Sequence, residues 1–180
     1  MRHPKPICEE GLCYGRIDLE CDPEALGIAA ANLSGLAAGH RIFTSPARRA
    51  LALAKRLGTE VAIEPLLQEL HFGNWEGRLW QDIGRDTIEA WQRGLPDSAP
   101  PDGETLSAMA SRCAGWLNGL EHEGAPILAI THAGPIRVIR ALLGGEPLLT
   151  HFGASVPFAS PIALEVERKI GTSGDLDETN

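Results

Sequence analysis

Two histidines and three arginines are placed where they could together form an anion-binding site. Arg2 and His3 stand at the start of the chain, and His132 follows an apolar run. Arg48 and Arg49 follow a Ser-Pro pair, which is typical of a helix start. Free N–H groups at a helix N-terminus favour an anion, and guanidinium and imidazole groups would bind a dianionic oxyanion such as a phosphoryl group. Spacing alone leaves ordinary surface arginines open as the alternative.

Short strands and longer helices are expected to alternate along the chain and to position these side chains. Helices are predicted over Pro23–Ala38, from Ser45-Pro46 to Leu57, near Thr87–Arg93, over Glu104–Leu120 and from the His132 turn to Leu143, and strands over Arg41–Thr44, Val61–Ile63, Ile127–Ile130 and Ile162–Val166. This alternation is typical of an α/β fold, a three-layer sandwich whose mostly parallel central sheet has helices on both faces. Chemistry in such folds lies at the carboxyl ends of strands, which directs attention to Thr44-Ser45-Pro46 and Thr131-His132-Ala133.

The length and composition predict one soluble domain. The chain has 180 residues, of which 1–170 are assigned to the domain and 171–180 to a polar tail that we expect to be disordered. Sixteen Lys and Arg against 24 Asp and Glu give a net charge of -8, which disfavours nucleic acid and anionic membranes as partners. Without a transmembrane-length apolar run or a secretory start, a cytoplasmic monomer or homodimer is expected.

Neither a metal nor another cofactor is expected. The four cysteines are Cys8, Cys13, Cys21 and Cys113. Their spacing matches no zinc pattern, and a disulfide framework would need an extracellular context, so they are interpreted as structural or incidental thiols. The histidines show no His-Glu-x-x-His or His-x-His spacing, so the sequence argues against a metallohydrolase.

Five segments, in order, resemble the signature segments of the histidine phosphatases of the phosphoglycerate mutase-like superfamily. They are Arg2-His3-Pro4, Thr44-Ser45-Pro46-Ala47-Arg48-Arg49-Ala50, Glu69-Leu70-His71-Phe72-Gly73-Asn74-Trp75-Glu76-Gly77, Gly103-Glu104-Thr105-Leu106 with Arg112, and Ile130-Thr131-His132-Ala133-Gly134. A further stretch, Cys13-Tyr14-Gly15-Arg16-Ile17-Asp18, resembles the Cys-Tyr-Gly-x-x-Asp stretch of α-ribazole phosphatases, which act late in cobalamin assembly.

The resemblance implies covalent catalysis at phosphorus. His3 would attack the phosphoryl group and form a phosphohistidine, while Glu69 protonates the leaving alkoxide and then activates water. Arg2, Arg49 and a protonated His132 would neutralise the phosphoryl oxygens. In the family the pocket arginine directly precedes alanine, and the acid precedes a Phe-Gly pair. These rules select Arg49 over Arg48 and Glu69 over Glu76. Glu76 is interpreted as a structural residue.

One signature position departs from the family pattern. Pro4 stands where the family has glycine, which removes an N–H donor and restricts the backbone of His3. Either that donor is dispensable here, or phosphate binding is weakened.

The activity that the resemblance implies is hydrolysis of a small phosphorylated metabolite, with α-ribazole 5′-phosphate as the favoured substrate. Two alternatives stay open. One is phosphoryl transfer of the phosphoglycerate mutase type, although the chain lacks the insertions expected of such a mutase. The other is a catalytically weak module that binds a phosphorylated ligand.

The start of the chain carries a further expectation. In the family an apolar strand precedes the Arg-His pair, whereas only Met1 precedes Arg2 here. We therefore expect the chain to lack its natural first strand, which would leave His3 on a frayed terminus and expose an apolar slot in the sheet.

Overall fold

The computed structural model describes residues 1–58, 60–120 and 125–165. The helices are α1 (Pro23–Ala37), α2 (Arg48–Leu57), α3 (Trp80–Ile83), α4 (Arg85–Arg93), α5 (Leu106–Asn118) and α6 (Ala133–Gly144), with two 3-10 turns at Pro65–Leu67 and Gly73–Trp75. The strands are β1 (Arg41–Thr44), β2 (Val61–Ile63) and β3 (Ile127–Ile130). No helix among the described residues is long and apolar enough to cross a membrane.

The three strands form a parallel sheet in the order β2-β1-β3. Ile42 in the central strand is paired with Val61 on one side and Leu128 on the other. Parallel neighbours bring their carboxyl ends to the same edge, so the turns after β1 and β3 meet there. The predicted strands β1, β2 and β3 are confirmed.

Helices cover both faces of this sheet. Ile42 and Leu128 point into one apolar cluster with residues of α1 and α2. Phe43 and Ala129, which alternate with them, pack against a second cluster built largely from α4, α5 and α6. Side chains of a strand alternate between its faces, so this division means that the sheet lies between two helical layers. The predicted three-layer α/β architecture is confirmed.

The second helix begins later than predicted. Ser45-Pro46 was expected to open it, but α2 starts at Arg48, and Ala47 has extended backbone angles. Ser45 is instead fully buried, and its hydroxyl contacts the imidazole of His132. The local cap-and-proline pattern could not indicate this contact, because the two residues are 87 positions apart.

The predicted last strand over Ile162–Val166 is wrong for its described residues, because residues 162–165 are not paired as a strand. Ile162 packs instead on a small cluster of Ala133, Ile136 and Val156. Val166 and the predicted tail 171–180 lie outside the described residues, and the domain boundary stays a prediction.

The first three residues lie beside β3. The Met1 ammonium donates to the Ala129 carbonyl at 2.7 Å, and the N–H groups of Thr131 and His3 donate to the carbonyls of Met1 and Thr131, each at 2.9 Å. His3 is only 1% exposed, so the expectation of a frayed His3 is wrong. An apolar cavity of about 580 Å³ runs along β3 beside Met1, and the missing first strand stays a prediction.

Candidate active site

The imidazole of His3 is buried and its two nitrogens have different partners. Nδ1 lies 2.6 Å from the Pro4 carbonyl oxygen, which can only accept, so Nδ1 carries the proton. Nε2 is therefore unprotonated, and its lone pair accepts a hydrogen bond from Arg49 Nε at 3.3 Å. Burial, followed by the charge of Arg49, lowers the pKa of His3 to about 3. His3 is thus a neutral imidazole with a nucleophilic Nε2 at neutral pH.

The proline that replaces the signature glycine takes part in this arrangement. Pro4 cannot donate an N–H, but its carbonyl holds the Nδ1 proton of His3 and so selects the tautomer. The departure from the family pattern therefore leaves Nδ1 of His3 protonated and Nε2 unprotonated.

His132 lies beside His3, with ring centroids 5.1 Å apart. It follows β3 with extended backbone angles and occupies the cap position of α6. Its Nε2 is 2.7 Å from the Ser45 hydroxyl, while its buried Nδ1 has no hydrogen-bond partner among the described residues. The turns after β1 and β3 therefore meet at this imidazole.

Burial and then the charge of Arg49 hold the pKa of His132 well below its ordinary value. The imidazole is consequently neutral before a phosphoryl group binds, which differs from the protonated form that the resemblance implied. A bound dianion would act in the opposite direction and raise this pKa.

Of the two neighbouring arginines, the structure brings Arg49 to the site. Arg49 is completely buried, and besides His3 it donates to the carbonyls of Ile17 and Gly15 at 2.8 and 2.6 Å. Arg48 is exposed and forms ion pairs with carboxylates at positions 18 and 20. Only Arg49 is placed to meet a group attacked by His3.

Arg2 completes the cationic side of the site. Its guanidinium donates to the Val156 carbonyl at 2.9 Å and to the Tyr14 hydroxyl at 3.2 Å, and it stacks 3.7 Å from the Phe158 ring centroid. The Tyr14 ring also faces Arg49, at 5.0 Å from ring centroid to guanidinium carbon. Tyr14 therefore links the two arginines, a position that the sequence analysis did not assign to the site. The Cys-Tyr-Gly stretch was the signal that could have found it.

Glu69 is held by the start of α6. One of its carboxylate oxygens accepts the Leu70 N–H at 2.9 Å and the Gly134 N–H at 3.1 Å. Gly134 comes two residues after His132, so one helix N-terminus places both side chains. A Cβ at Gly134 would collide with the carboxylate oxygen of Glu69, which explains a glycine at this position.

Glu76 occupies a different place. Its carboxylate accepts the N–H groups of Arg16, Ile17 and Phe72, each at 2.9 Å, and its side chain is 9% exposed. The carbonyls of this same 15–17 loop bind Arg49. Glu76 therefore fixes the loop that holds the buried Arg49.

Glu104 and Arg112 support the backbone of Glu69. Arg112 donates to Glu104 at 2.7 Å and to the Glu69 carbonyl at 3.2 Å, and Arg16 donates to Glu104 at 3.1 Å. Although burial opposes it, the hydrogen bond and charge of Arg112 lower the pKa of Glu104. Within residues 1–58, 60–120 and 125–165, no three His, Cys, Asp or Glu side chains converge to hold a metal ion.

Comparison with known proteins identifies the family of the chain. The model of the histidine phosphatase superfamily (branch 1) matches residues 1–173. The chain is 27% identical over 117 residues to adenosylcobalamin/alpha-ribazole phosphatase of Escherichia coli strain K12, covering 62% of this chain and 58% of that protein. It is 26% identical over 140 residues to phosphoserine phosphatase 1 of Hydrogenobacter thermophilus, covering 72% of this chain and 66% of that protein. The chain thus spans less than two thirds of either relative.

A solved structure shares the fold. The alpha-ribazole phosphatase from Shigella flexneri superposes with a TM-score of 0.78 at 24% identity, covering 88% of this chain and 85% of that chain. Because the family model extends over nearly the whole sequence, this chain belongs to the histidine phosphatase superfamily.

Proposed function

We propose that this protein is a phosphomonoesterase that hydrolyses a small phosphorylated metabolite through a phosphohistidine on His3. The observation that carries the proposal is the unprotonated Nε2 of His3, which accepts a hydrogen bond from Arg49 and lies next to His132. A neutral imidazole with one fixed tautomer can act as a nucleophile without first losing a proton. His3, Glu69 and His132 are the proposed catalytic residues.

In the first half of the reaction, the Nε2 lone pair of His3 forms a bond to phosphorus and the bond from phosphorus to the leaving oxygen breaks. Glu69 gives its proton to that oxygen, which departs as an alcohol. In the second half, Glu69 takes a proton from water as the water oxygen attacks phosphorus. The N–P bond then breaks, which returns the lone pair to His3 and releases inorganic phosphate.

Arg2, Arg49 and His132 are the proposed phosphate-binding residues. Two fixed guanidinium groups in a buried site stabilise the charge that shifts among the phosphoryl oxygens. His132 Nδ1 is buried without a hydrogen-bond partner among the described residues, so an oxygen of the phosphoryl group would satisfy it once the imidazole is protonated. Metal and cofactor are not required by this chemistry.

The favoured substrate is α-ribazole 5′-phosphate. Support comes from the Tyr14 segment, whose counterpart marks α-ribazole phosphatases, and from the Escherichia coli relative of that name. Phosphoryl transfer of the mutase type is the second candidate, and it predicts a phosphorylated product in place of free phosphate. A weak phospho-ligand-binding module is the third, and it predicts binding without turnover.

The test is phosphate release from p-nitrophenyl phosphate, together with trapping of the phosphoenzyme at alkaline pH. The wild-type protein should release phosphate and form an acid-labile, alkali-stable phosphoenzyme, and His3→Ala should do neither. His40→Ala is the matched control, because His40 lies just before β1, at the end of that strand opposite Ser45. Binding of inorganic phosphate without any phosphate release from p-nitrophenyl phosphate would overturn the proposal in favour of the binding module.

A further inference from the structure

A cavity of about 500 Å³ opens beside the carboxylate of Glu69. Side chains of α3 to α6 and of the loop that follows α6 line it, together with the loop that carries Glu69. Of its fifteen lining residues, Glu69 and Arg137 carry charge, and most of the others are apolar. We call this cavity the Glu69 chamber.

Four aromatic side chains form a connected wall of the Glu69 chamber. Phe72 packs edge-to-face on Trp80 with ring centroids 5.2 Å apart, and on Trp91 at 6.1 Å. Trp91 in turn contacts Phe152 at 6.0 Å. Such edge-to-face packing holds each ring in place, so the wall presents a preformed surface to a flat group.

The position of the chamber decides which part of a substrate enters it. Glu69 protonates the leaving oxygen in the proposed reaction, so the group attached to that oxygen extends from the carboxylate into the cavity. An aromatic group would bury apolar surface there. A group with an ammonium and a carboxylate would lose hydration against walls whose charged side chains are Glu69 and Arg137, the other lining residues being mostly apolar.

Arg137 could be read as a receptor for a carboxylate on the leaving group. Its Nε, however, donates to the Ala154 carbonyl at 2.9 Å. Burial lowers the pKa of its guanidinium, and the negative charge of Glu69 offsets that effect only in part. A carboxylate on the leaving group would still lose its hydration against mostly apolar walls and would stand beside the Glu69 side chain.

We infer that the Glu69 chamber binds the leaving group and selects phosphomonoesters whose alcohol carries an uncharged aromatic ring. This inference rests on the proposed function, and it goes further by assigning selectivity to Phe72, Trp80, Trp91 and Phe152. Esters with a small charged or polar alcohol, such as phosphoserine, are accordingly poor substrates.

The test compares three phosphomonoesters of primary alcohols, namely benzyl phosphate, O-phosphoserine and glycerol 3-phosphate. All three leave as alkoxides that need protonation, so they differ mainly in what fills the chamber. The expected kcat/KM for benzyl phosphate is about 10- to 100-fold above the other two, from burial of one ring. Equal or better turnover of phosphoserine would overturn the inference. Absence of phosphate release from every ester, p-nitrophenyl phosphate included, would instead overturn the proposed function.

Variants locate the selectivity. Phe152→Ala and Leu148→Ala each remove an apolar side chain that lines the chamber. Each should reduce the preference for benzyl phosphate by about 3- to 30-fold. Leu149→Ala is the matched control, because Leu149 is 43% exposed and does not line the chamber. Circular dichroism checks that each variant is folded. An unchanged preference in a folded lining variant, or the same loss in Leu149→Ala, would place the selectivity elsewhere.

Discussion

Glu69 and Glu76 lie on one loop, and exchange of each for glutamine should affect different properties. Glu69→Gln keeps a side-chain oxygen that can accept the N–H groups of Leu70 and Gly134, so the free energy of unfolding should change little. The amide cannot donate a proton as an acid. Turnover should therefore fall by roughly 10²-fold or more for alkyl phosphates.

Glu76→Gln should lower stability instead. Two N–H groups bind one carboxylate oxygen of Glu76 and the Ile17 N–H binds the other. In glutamine one of these oxygens becomes an NH₂ group, which faces an N–H donor. Loss of one buried hydrogen bond to a charged acceptor costs about 1.5–3 kcal/mol. For a domain of this size, that lowers Tm by about 3–12 °C.

The assay separates the two effects by leaving group. Glu69→Gln should be much less impaired on p-nitrophenyl phosphate, because nitrophenolate leaves without protonation, whereas any loss in Glu76→Gln should be similar for both esters. Thermal melts provide the second readout. Leaving-group dependence in Glu76→Gln with none in Glu69→Gln would refute the assignment of the acid, and an unchanged Tm in Glu76→Gln would refute the loop argument.

Three further outcomes are expected. Arg49→Lys should lower kcat/KM by about 10²-fold, because a lysine cannot replace the guanidinium that contacts His3 and two carbonyls. Arg48→Lys, an exposed control, should stay near wild type, and equal losses would contradict the choice of Arg49. Phosphatase activity should persist in EDTA and be inhibited by vanadate, whose five-coordinate adduct resembles the transition state; loss in EDTA with recovery in Mg²⁺ or Zn²⁺ would contradict a metal-free mechanism. Burial lowers the pKa of His3 to about 3, so between that value and its ordinary value the unfolded chain binds a proton that the folded chain does not. Stability should therefore fall as the pH drops from about 7 towards about 4, and less steeply in His3→Asn. The same decline of Tm in both proteins would argue against this linkage.

Several elements could be predicted from the sequence because local interactions decide them. Asp22 caps α1 through a hydrogen bond from the Ala25 N–H at 2.8 Å, as the Asp-Pro-Glu pattern indicates. The apolar runs at 41–44 and 127–130 form the predicted strands. The cap joins residues three positions apart, and the apolar runs indicate strands by their local composition, although the two strands pair with each other across the chain.

The order of the motifs predicted which residues form the candidate site. The protonation states of those residues depend on contacts across the chain. The tautomer of His3 follows from its neighbour Pro4, but its low pKa follows from burial and from Arg49, 46 positions away. The neutral state of His132 likewise follows from complete burial. Protonation depends on desolvation and on nearby charge, and neither quantity is present in a linear pattern.

The roles of Tyr14 and Glu76 were also decided by tertiary structure. Tyr14 joins Arg2 to Arg49, and Glu76 holds the loop whose carbonyls bind Arg49. Local propensity placed the cap of α2 at Ser45, whereas Ser45 contacts His132, 87 positions away, and α2 starts at Arg48. The sequence by itself determined most of the helices and strands, because capping and apolar periodicity act between neighbouring residues, and it determined which chemical groups are available. Only the folded chain decided which groups are buried, paired and neutral, because distant segments must first meet at the carboxyl edge of the sheet.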